Sequence, residues 1–241
     1  MSLSSDSLNL LEREGWAITP SLLPHDAVSA IGTELAATLE GSSGRGGVRN
    51  LLTTHPTVRR LAAEGPLRDA ATAVLGQDAG AVRAILFDKN PMANWKVVWH
   101  QDLTIAVAEE QPVAGYGPWS NKDGVVHVQP PVAILEQMLA VRLHLDDCTT
   151  ENGPVRVIPG SHRSGKLRPE AIDEWRVSGA ERECLVSRGG LLVFRPLVLH
   201  ASSPARRPGH RRVLHIEYGP PRLATGVEWH TWIGGSVPHA A

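Results

Sequence analysis

The chain has 241 residues, of which 42% are hydrophobic and 20% are charged, and its formal net charge is −1. This length allows a sizeable buried core in one domain, so we expect residues 1–241 to fold as a single unit. A near-neutral chain gives no electrostatic reason to expect nucleic acid or an anionic membrane as a partner. The two distant cysteines, Cys148 and Cys184, support neither a zinc knuckle nor a disulfide framework.

The first residues, MSLSSDSLNLLEREGW, contain three acidic side chains and neither a basic region nor a long apolar run. They are therefore not predicted to be a signal peptide. No apolar stretch approaches the ~20 residues that a membrane-spanning helix needs. We expect a cytoplasmic protein whose thiols are reduced.

Residues 1–80 predict a mainly helical part. Its clearest helix begins near Pro24, since proline suits the first turn of a helix. Apolar residues then recur there at helical spacing, at Ala27, Ile31, Leu35 and Leu39. Two further short helices are predicted between His55 and Gly76.

The composition changes after Gly80, where short β-rich runs, among them KVVWHQDLTIAV at residues 96–107, alternate with turns of glycine, proline, asparagine and aspartate. Many short strands separated by such turns predict an antiparallel sandwich or barrel with flanking helices. Residues 106–130 interrupt the pattern with several glycines and prolines and with Trp119. A loop this long in a compact domain is usually functional or mobile, so we predict that it is a lid.

The stretch WKVVWHQDLT contains His100 and Asp102, two residues apart. Residues i and i+2 of a strand share a face, so both side chains can reach one metal. A third ligand is available in His200, which ends the apolar run FRPLVLH. Two histidines and one carboxylate are the ligand set of non-haem Fe(II) oxygenases. Taken alone, the pair is equally compatible with two polar residues at a strand end.

A second set of residues follows His200. Ser202 shares the face of His200, and the segment RRPGHRRVLHIEY opens a late strand rich in arginine. An arginine in this strand can bind a dicarboxylate through its forked guanidinium group. Ser202 can add a hydroxyl group to the same carboxylate.

The sequence resembles the phytanoyl-CoA dioxygenase family of Fe(II)- and 2-oxoglutarate-dependent oxygenases along nearly its whole length. The matching pieces are LEREGWAITPSLLPHDAVSAI, WHQDL, LHLDDCTTENGPVRVIPGSHRSG and HASSPARRPGHRRVLHIEYG. The block DD....NGP....PGSH is the most specific of them. The resemblance implies a mainly β fold with a double-stranded β-helix core, the jelly roll of cupin-like proteins.

The resemblance also implies ligands and cofactors. Fe(II) would be bound by His100, Asp102 and His200, with 2-oxoglutarate and O2 as co-substrates. Arg211, eleven residues beyond the distal histidine, would bind the far carboxylate of 2-oxoglutarate with help from Ser202. Strand parity gives an opposing indication, because Arg212 lies on the more apolar face, with Leu214, Ile216 and Tyr218. We favour Arg211 and retain Arg212 as the alternative.

Three other residues are candidates. Gln137 alternates in step with apolar residues of LEQMLAVRLHLDD, so it is either a donor to the 2-oxoglutarate carboxylate or a satisfied core amide. Trp119 either lines the substrate pocket or anchors the insert. Arg49 is a candidate to reach the site from the N-terminal region.

The expected activity is hydroxylation of an unidentified small molecule with release of succinate and CO2. Related enzymes also desaturate substrates or close rings, and the residues leave these outcomes open. Asp102 argues against halogenation, because halogenases of this type lack the carboxylate ligand. The alternatives are a cupin-like metalloenzyme that does not use 2-oxoglutarate and a catalytically silent binding protein on the same fold. The sequence makes no prediction about the oligomeric state.

Overall fold

The computed structural model describes residues 3–39, 47–223 and 226–234. The N-terminal part contains one short strand and five helices: α1 (Ser5–Glu14), β1 (Trp16–Ile18), α2 (His25–Leu39), α3 (Leu51–Thr54), α4 (Pro56–Ala63) and α5 (Pro66–Leu75). The first helix begins where the Ser4 hydroxyl accepts a hydrogen bond from the Ser7 backbone, and it ends at Gly15 in the left-handed conformation, as expected for a capped helix.

Strands dominate the remainder of the chain. They are β2 (Gly80–Lys89), β3 (Val97–His100), β4 (Ile105–Val107), β5 (Trp119–Lys122), β6 (Val125–Val128), β7 (Leu139–His144), β8 (Val155–Ile158), β9 (Arg182–Cys184), β10 (Leu191–Phe194), β11 (Leu199–Ser202), β12 (Arg211–Gly219) and β13 (Ile233–Gly234). Two α-helices lie between them, α6 (Val132–Glu136) and α7 (Pro169–Ser178), together with a short 3-10 helix (Ser161–Ser164). No helix in the described residues is both long and apolar enough to cross a membrane.

Two antiparallel sheets form the core. The larger has the order β1-β10-β7-β12-β2-β13, and the smaller has the order β3-β11-β8-β9. Strands that are distant in the sequence are neighbours in both sheets, as in a jelly roll. The predicted double-stranded β-helix with flanking helices is confirmed.

The helices cover one face of the larger sheet, and this determines which side chains face the interior. Alternate residues of its central strands pack with the helices in one hydrophobic cluster, among them Leu86, Val141, Leu143, Leu214 and Ile216. The residues between them point to the opposite face. The apolar face of β12 is therefore the helix-covered face, and its more polar face lines the space between the sheets.

Two predicted elements differ from the structure. The run from Lys96 to Val107 was expected to be one strand, but it forms β3 and β4, which belong to different sheets. The insert 106–130 is a small three-stranded sheet with the order β4-β6-β5, in which Trp119 pairs with Val128. The insert is therefore largely a folded hairpin instead of an irregular loop.

Candidate metal centre

The three predicted metal ligands lie together. His100 ends β3 and pairs directly with His200 on the neighbouring β11. Asp102 follows, with its backbone N–H donating to the carbonyl oxygen of Pro196. Asp102 Oδ1 lies 3.7 Å from His100 Nε2, and Asp102 Oδ2 lies 3.7 Å from His200 Nε2. Ligand atoms lie ~2 Å from a first-row metal, so two atoms that share one ion lie within ~4 Å. Both Asp102 pairs meet that condition, and ligand atoms of all three side chains lie within 4.8 Å of one another.

Backbone carbonyl groups orient both imidazole rings. His100 Nδ1 lies 2.8 Å from the carbonyl oxygen of Val98, and His200 Nδ1 lies 3.0 Å from that of Val198. A carbonyl oxygen can only accept, so each Nδ1 carries the proton and each Nε2 keeps its lone pair. Metal-binding histidines are commonly fixed in this way. The donor set therefore fits a divalent metal such as Fe(II).

The charges of the site also suit a metal. Burial would raise the pKa of Asp102, but the neighbouring histidines, His200 first, together with Arg83 hold it well below its usual range. Burial and the neighbouring His100 lower the pKa of His200 to about 3. At neutral pH the site therefore presents a carboxylate and an uncharged His200 imidazole, the protonation states that bind metal.

A cavity of about 190 Å³ opens beside these atoms. Its apolar lining includes Ile85, Phe87, Trp95, Val97, Val155, Ala201 and Val213. Its charged lining consists of Asp102 and four arginines, namely Arg49, Arg83, Arg142 and Arg211. The cavity therefore carries an excess of positive charge, which favours anionic ligands.

The strands β2 and β12 order the interior side chains along the cavity. Directly paired residues of these strands with side chains on the interior face are Lys89 with Arg211, Phe87 with Val213, and Ile85 with His215. Arg83 and Glu217 form the next pair. One end of the cavity wall is thus basic, its middle is partly apolar, and its other end carries an arginine–glutamate pair.

Arg211 and Arg212 have different surroundings. Arg211 is buried and lines the cavity, and its Nε has no hydrogen-bond partner among the described residues. Arg212 lies on the other face, where its Nε and Nη2 donate to the two carboxylate oxygens of Asp146 at 2.9 and 2.7 Å. Arg211 is therefore placed to meet a ligand in the cavity, whereas Arg212 already has a carboxylate partner outside it.

Ser202 lines the cavity at the end where Arg211 lies. Its hydroxyl oxygen accepts a hydrogen bond of 3.1 Å from Lys89 Nζ, which also donates to the Ser203 carbonyl oxygen at 2.6 Å. Since the oxygen is occupied as an acceptor from Lys89, the hydroxyl proton remains available to a carboxylate. Lys89 therefore orients Ser202 as a donor.

The far end of the cavity contains a chain of hydrogen bonds. Arg142 Nε donates to His215 Nδ1 at 3.0 Å, and His215 Nε2 donates to Glu217 at 3.1 Å. Arg83 forms an ion pair with the same Glu217 carboxylate. Ligand atoms of Asp102, His215 and Glu217 lie within 4.8 Å of one another. However, both nitrogens of His215 are engaged and Arg83 neutralises Glu217, so this group is not assigned as a second metal site.

Two predicted site residues lie outside the cavity lining. Gln137 is exposed at the end of α6, and its Nε2 donates to the Ala133 carbonyl oxygen. It was expected on the apolar face of a strand, but β7 begins only at Leu139. The placement of Gln137 beside 2-oxoglutarate is therefore wrong. Trp119 packs in a hydrophobic cluster of the insert, which favours the anchoring interpretation.

The insert reaches the cavity through Arg49. Arg49 lines the cavity, and its Nε lies 2.9 Å from a carboxylate oxygen of Asp123, at the turn between β5 and β6. Lys122 on the same hairpin donates to the Thr104 hydroxyl at 2.8 Å. The insert thus supports one wall of the cavity through its contact with Arg49.

Sequence reasoning missed Lys89, Arg83 and Arg142. A signal for the first two was present, because basic residues stand at both ends of the alternating run RAILFDK. The location of Arg83 in the cavity and of Lys89 beside Ser202 depends on the pairing of β2 with β12, which the sequence does not specify. Arg142 alternates with core residues of β7, and nothing local distinguishes it from a surface arginine.

A family profile described as phytanoyl-CoA dioxygenase (PhyH) matches residues 11–213 of the chain. The chain belongs to the phytanoyl-CoA dioxygenase family. The match includes the predicted ligands His100, Asp102 and His200 and extends to Val213 on β12. The family assignment made from the motifs is therefore confirmed.

Individual relatives are distant. Ectoine dioxygenase of Bordetella bronchiseptica is 24% identical over 179 residues, which cover 67% of this chain and 50% of that protein. The chain spans about half the length of this curated relative. Among solved structures, the carbocyclase SnoK of nogalamycin biosynthesis superposes with a TM-score of 0.72 at 16% identity, covering 98% of this chain and 95% of SnoK. EctD from S. alaskensis with 2-oxoglutarate and 5-hydroxyectoine gives 0.70 at 19% identity, covering 90% and 76%. These structures support the fold.

Proposed function

We propose that the protein is an Fe(II)- and 2-oxoglutarate-dependent dioxygenase that hydroxylates a small molecule. The observation that carries the proposal is the meeting of His100, Asp102 and His200 at a cavity that also contains Arg211 and Ser202. A metal site alone would suit many enzymes. The additional basic end of the cavity matches the second, distal carboxylate of 2-oxoglutarate.

The three ligands would hold Fe(II) on one face and leave the remaining coordination positions open. When bound, the iron would supply the oxidation of substrate by O2, coupled to the conversion of 2-oxoglutarate to succinate and CO2. Val98 and Val198 would keep the imidazole rings oriented through their carbonyl groups. The chain itself contributes ligation, orientation and shielding from water.

Arg211 would bind the distal carboxylate of 2-oxoglutarate through its guanidinium group, and Ser202 would donate its hydroxyl proton to the same group. The burial of Arg211 supports this role, because a charge-assisted hydrogen bond is stronger away from water. Lys89 would hold Ser202 in its donating orientation and add positive charge.

The substrate is a small molecule in this proposal. The name of the relative ectoine dioxygenase supports that size class, as does a cavity of about 190 Å³. Arg49, which is held by Asp123 of the insert, would meet the substrate, and movement of the insert would act as the lid. Trp119 is not proposed as a substrate contact, since it packs inside the insert.

Anaerobic titration of the protein with Fe(II) and 2-oxoglutarate tests the proposal. We expect the weak visible charge-transfer band that a 2-oxoglutarate chelate of Fe(II) gives. His100→Ala and Asp102→Ala should abolish the band, whereas His25→Ala, at an exposed position on α2, should retain it. Succinate release on admission of O2 then separates a working enzyme from a silent binding protein.

Two results would contradict the proposal. Metal binding without the band on addition of 2-oxoglutarate would indicate a metalloenzyme of another type. A band that survives in the His100→Ala variant would show that the metal is bound elsewhere.

A further inference from the structure

Two arginines of the cavity have no carboxylate partner. Arg83 pairs with Glu217 and Arg49 pairs with Asp123. Within residues 3–39, 47–223 and 226–234, no carboxylate forms an ion pair with Arg142 or Arg211. A buried cation without a partner is costly unless a ligand supplies the missing negative charge. The cavity thus has two positions for anionic groups.

The guanidinium group of Arg142 is held in a fixed orientation. Its central carbon lies 5.3 Å from the ring centre of Phe87 and 5.4 Å from that of Phe194, so the cation lies between two aromatic rings. Its Nε donates to His215 Nδ1 at 3.0 Å, and Glu217 binds the other side of the same imidazole. The terminal Nη groups form no other hydrogen bond among the described residues. Arg142 is therefore held in a fixed orientation, and its Nη groups are available as hydrogen-bond donors to a ligand.

Arg142 lies close to the metal ligands and away from the Arg211 end. Phe87 pairs with Val213, two positions from Arg211 on β12, and His215 lies two positions further along. His215 and Asp102 belong to one group of ligand atoms within 4.8 Å of one another. Phe194, on the other side of Arg142, has its ring centre 5.1 Å from that of His200. The guanidinium of Arg142 is therefore at the level of the metal.

We propose that Arg142 binds the carboxylate of 2-oxoglutarate that lies next to the keto group, on the metal side, while Arg211 binds the distal carboxylate. This inference rests on the proposed function, since it assigns a contact to the same co-substrate. The two arginines that lack a carboxylate partner among the described residues then match the two carboxylates of one dianion. The metal-side contact would orient the keto acid before it reaches the metal ligands.

Anaerobic titrations of the Fe(II) protein with two ligands distinguish the roles of Arg142 and Arg211. 2-Oxoglutarate has both carboxylates, whereas 2-oxopentanoate has only the one next to the keto group. Arg142→Met should weaken both ligands by the same factor, about 10- to 100-fold for a charge-assisted contact. Arg211→Gln should weaken 2-oxoglutarate by a similar factor and leave 2-oxopentanoate unchanged. Met is chosen because its thioether packs well between aromatic rings.

Arg195→Gln is the matched control, because Arg195 is a half-buried arginine outside this cavity. It should bind both ligands like the wild type. Arg142→Lys keeps the charge but loses the forked geometry of the guanidinium group, so it should bind both ligands with intermediate affinity. This variant provides the test if the Arg142→Met variant does not fold. Unchanged binding of 2-oxopentanoate to either Arg142 variant would overturn the inference. Absence of ligand binding to the wild-type Fe(II) protein would instead overturn the proposed function.

Discussion

Arg211 and Arg212 are adjacent in the chain, yet their side chains lie on opposite faces of β12. Parity on β12 pointed toward Arg212, because the more apolar face of a strand was taken as the interior. The structure reverses this reasoning, since the apolar face is covered by helices and the polar face lines the cavity. The choice between the two arginines therefore depended on which face the helices cover.

Arg211→Gln is expected to weaken 2-oxoglutarate binding by about 10- to 100-fold, because it removes a buried charge-assisted hydrogen bond. The measurement is anaerobic titration of the Fe(II) protein. Arg212→Gln is the control, because it removes only a partly exposed pair with Asp146. A larger effect of the Arg212 change would show that the co-substrate assignment is reversed.

Lys89 is expected to give the proposed 2-oxoglutarate binding a dependence on pH. Burial and the nearby Arg211 lower the pKa of Lys89 to about 7. A bound carboxylate favours the protonated ammonium group and raises this pKa, so the affinity is highest below pH 7. It is expected to fall as the pH rises above 7, by up to tenfold per pH unit.

Dissociation constants between pH 6 and pH 8.5 check this expectation. Lys89→Met should bind 2-oxoglutarate weakly at every pH and abolish the slope. Lys96→Met, at an exposed position, should keep it. An unchanged slope in the Lys89 variant would assign the titration to another group.

At the scale of elements, the block between Asp146 and His162 mainly supports the site, and Val155 is its cavity-lining residue. Ser161 is buried, donates to the Ile158 carbonyl oxygen and accepts from the Leu199 backbone N–H at 2.8 Å. It thereby fixes the start of β11, one residue before His200. His162 packs against Gly15, where a Cβ atom would lie 2.5 Å from the imidazole Nδ1. The most specific motif of the sequence is thus largely structural.

Gly153 in the NGP motif provides a test of this role. It adopts a left-handed φ of 69°, and a Cβ atom would lie 2.5 Å from the Ser203 carbonyl oxygen and 3.2 Å from Lys89 Nζ. Gly153→Ala is therefore expected to lower the free energy of unfolding by about 1–3 kcal/mol and to weaken 2-oxoglutarate binding.

Chemical denaturation and the anaerobic titration measure the two effects. Gly209→Ala is the matched control, because nothing lies within 4 Å of its added Cβ. Wild-type affinity in a destabilised Gly153 variant would show that the motif supports the fold without positioning Lys89 and Ser202.

Local patterns predicted most helices and strands but failed where tertiary pairing decides. His100 and Asp102 were predictable because strand geometry puts alternate residues on one face. The division of residues 95–107 between two sheets was not predictable, because the same apolar run is compatible with one strand or with two. The prediction for Gln137 was wrong for a related reason, since a helical turn ends where a strand was expected to begin. The position of Lys89 opposite Arg211 could be predicted only from the register between β2 and β12.

For the whole molecule, we expect the metal and 2-oxoglutarate together to join the two sheets. The ligands belong to the smaller sheet and its continuation, whereas Lys89, Arg142 and Arg211 belong to the larger one. Binding to the folded state alone raises stability by ~2.7 kcal/mol at a ligand concentration 100 times the Kd. This corresponds to a Tm increase of roughly 5–10 °C for a chain of this size.

Anaerobic thermal unfolding with and without Fe(II) measures this increase. The Asp102→Ala variant should show no shift, and addition of 2-oxoglutarate should raise the wild-type Tm further. An equal shift in the variant would mean that the metal stabilises the chain at a different place.

Ile105, Val107, Tyr116 and Val128 are buried in a hydrophobic cluster that the insert shares with Val82 of β2 and with Leu197, two residues before β11. This cluster is separate from the core beneath the helices. Substitutions at residues of the insert outside this cluster can therefore accumulate with little effect on the strands that carry the candidate metal ligands and Arg211. Over evolutionary time, such a division would let a lineage change its substrate while the proposed oxidation chemistry is retained.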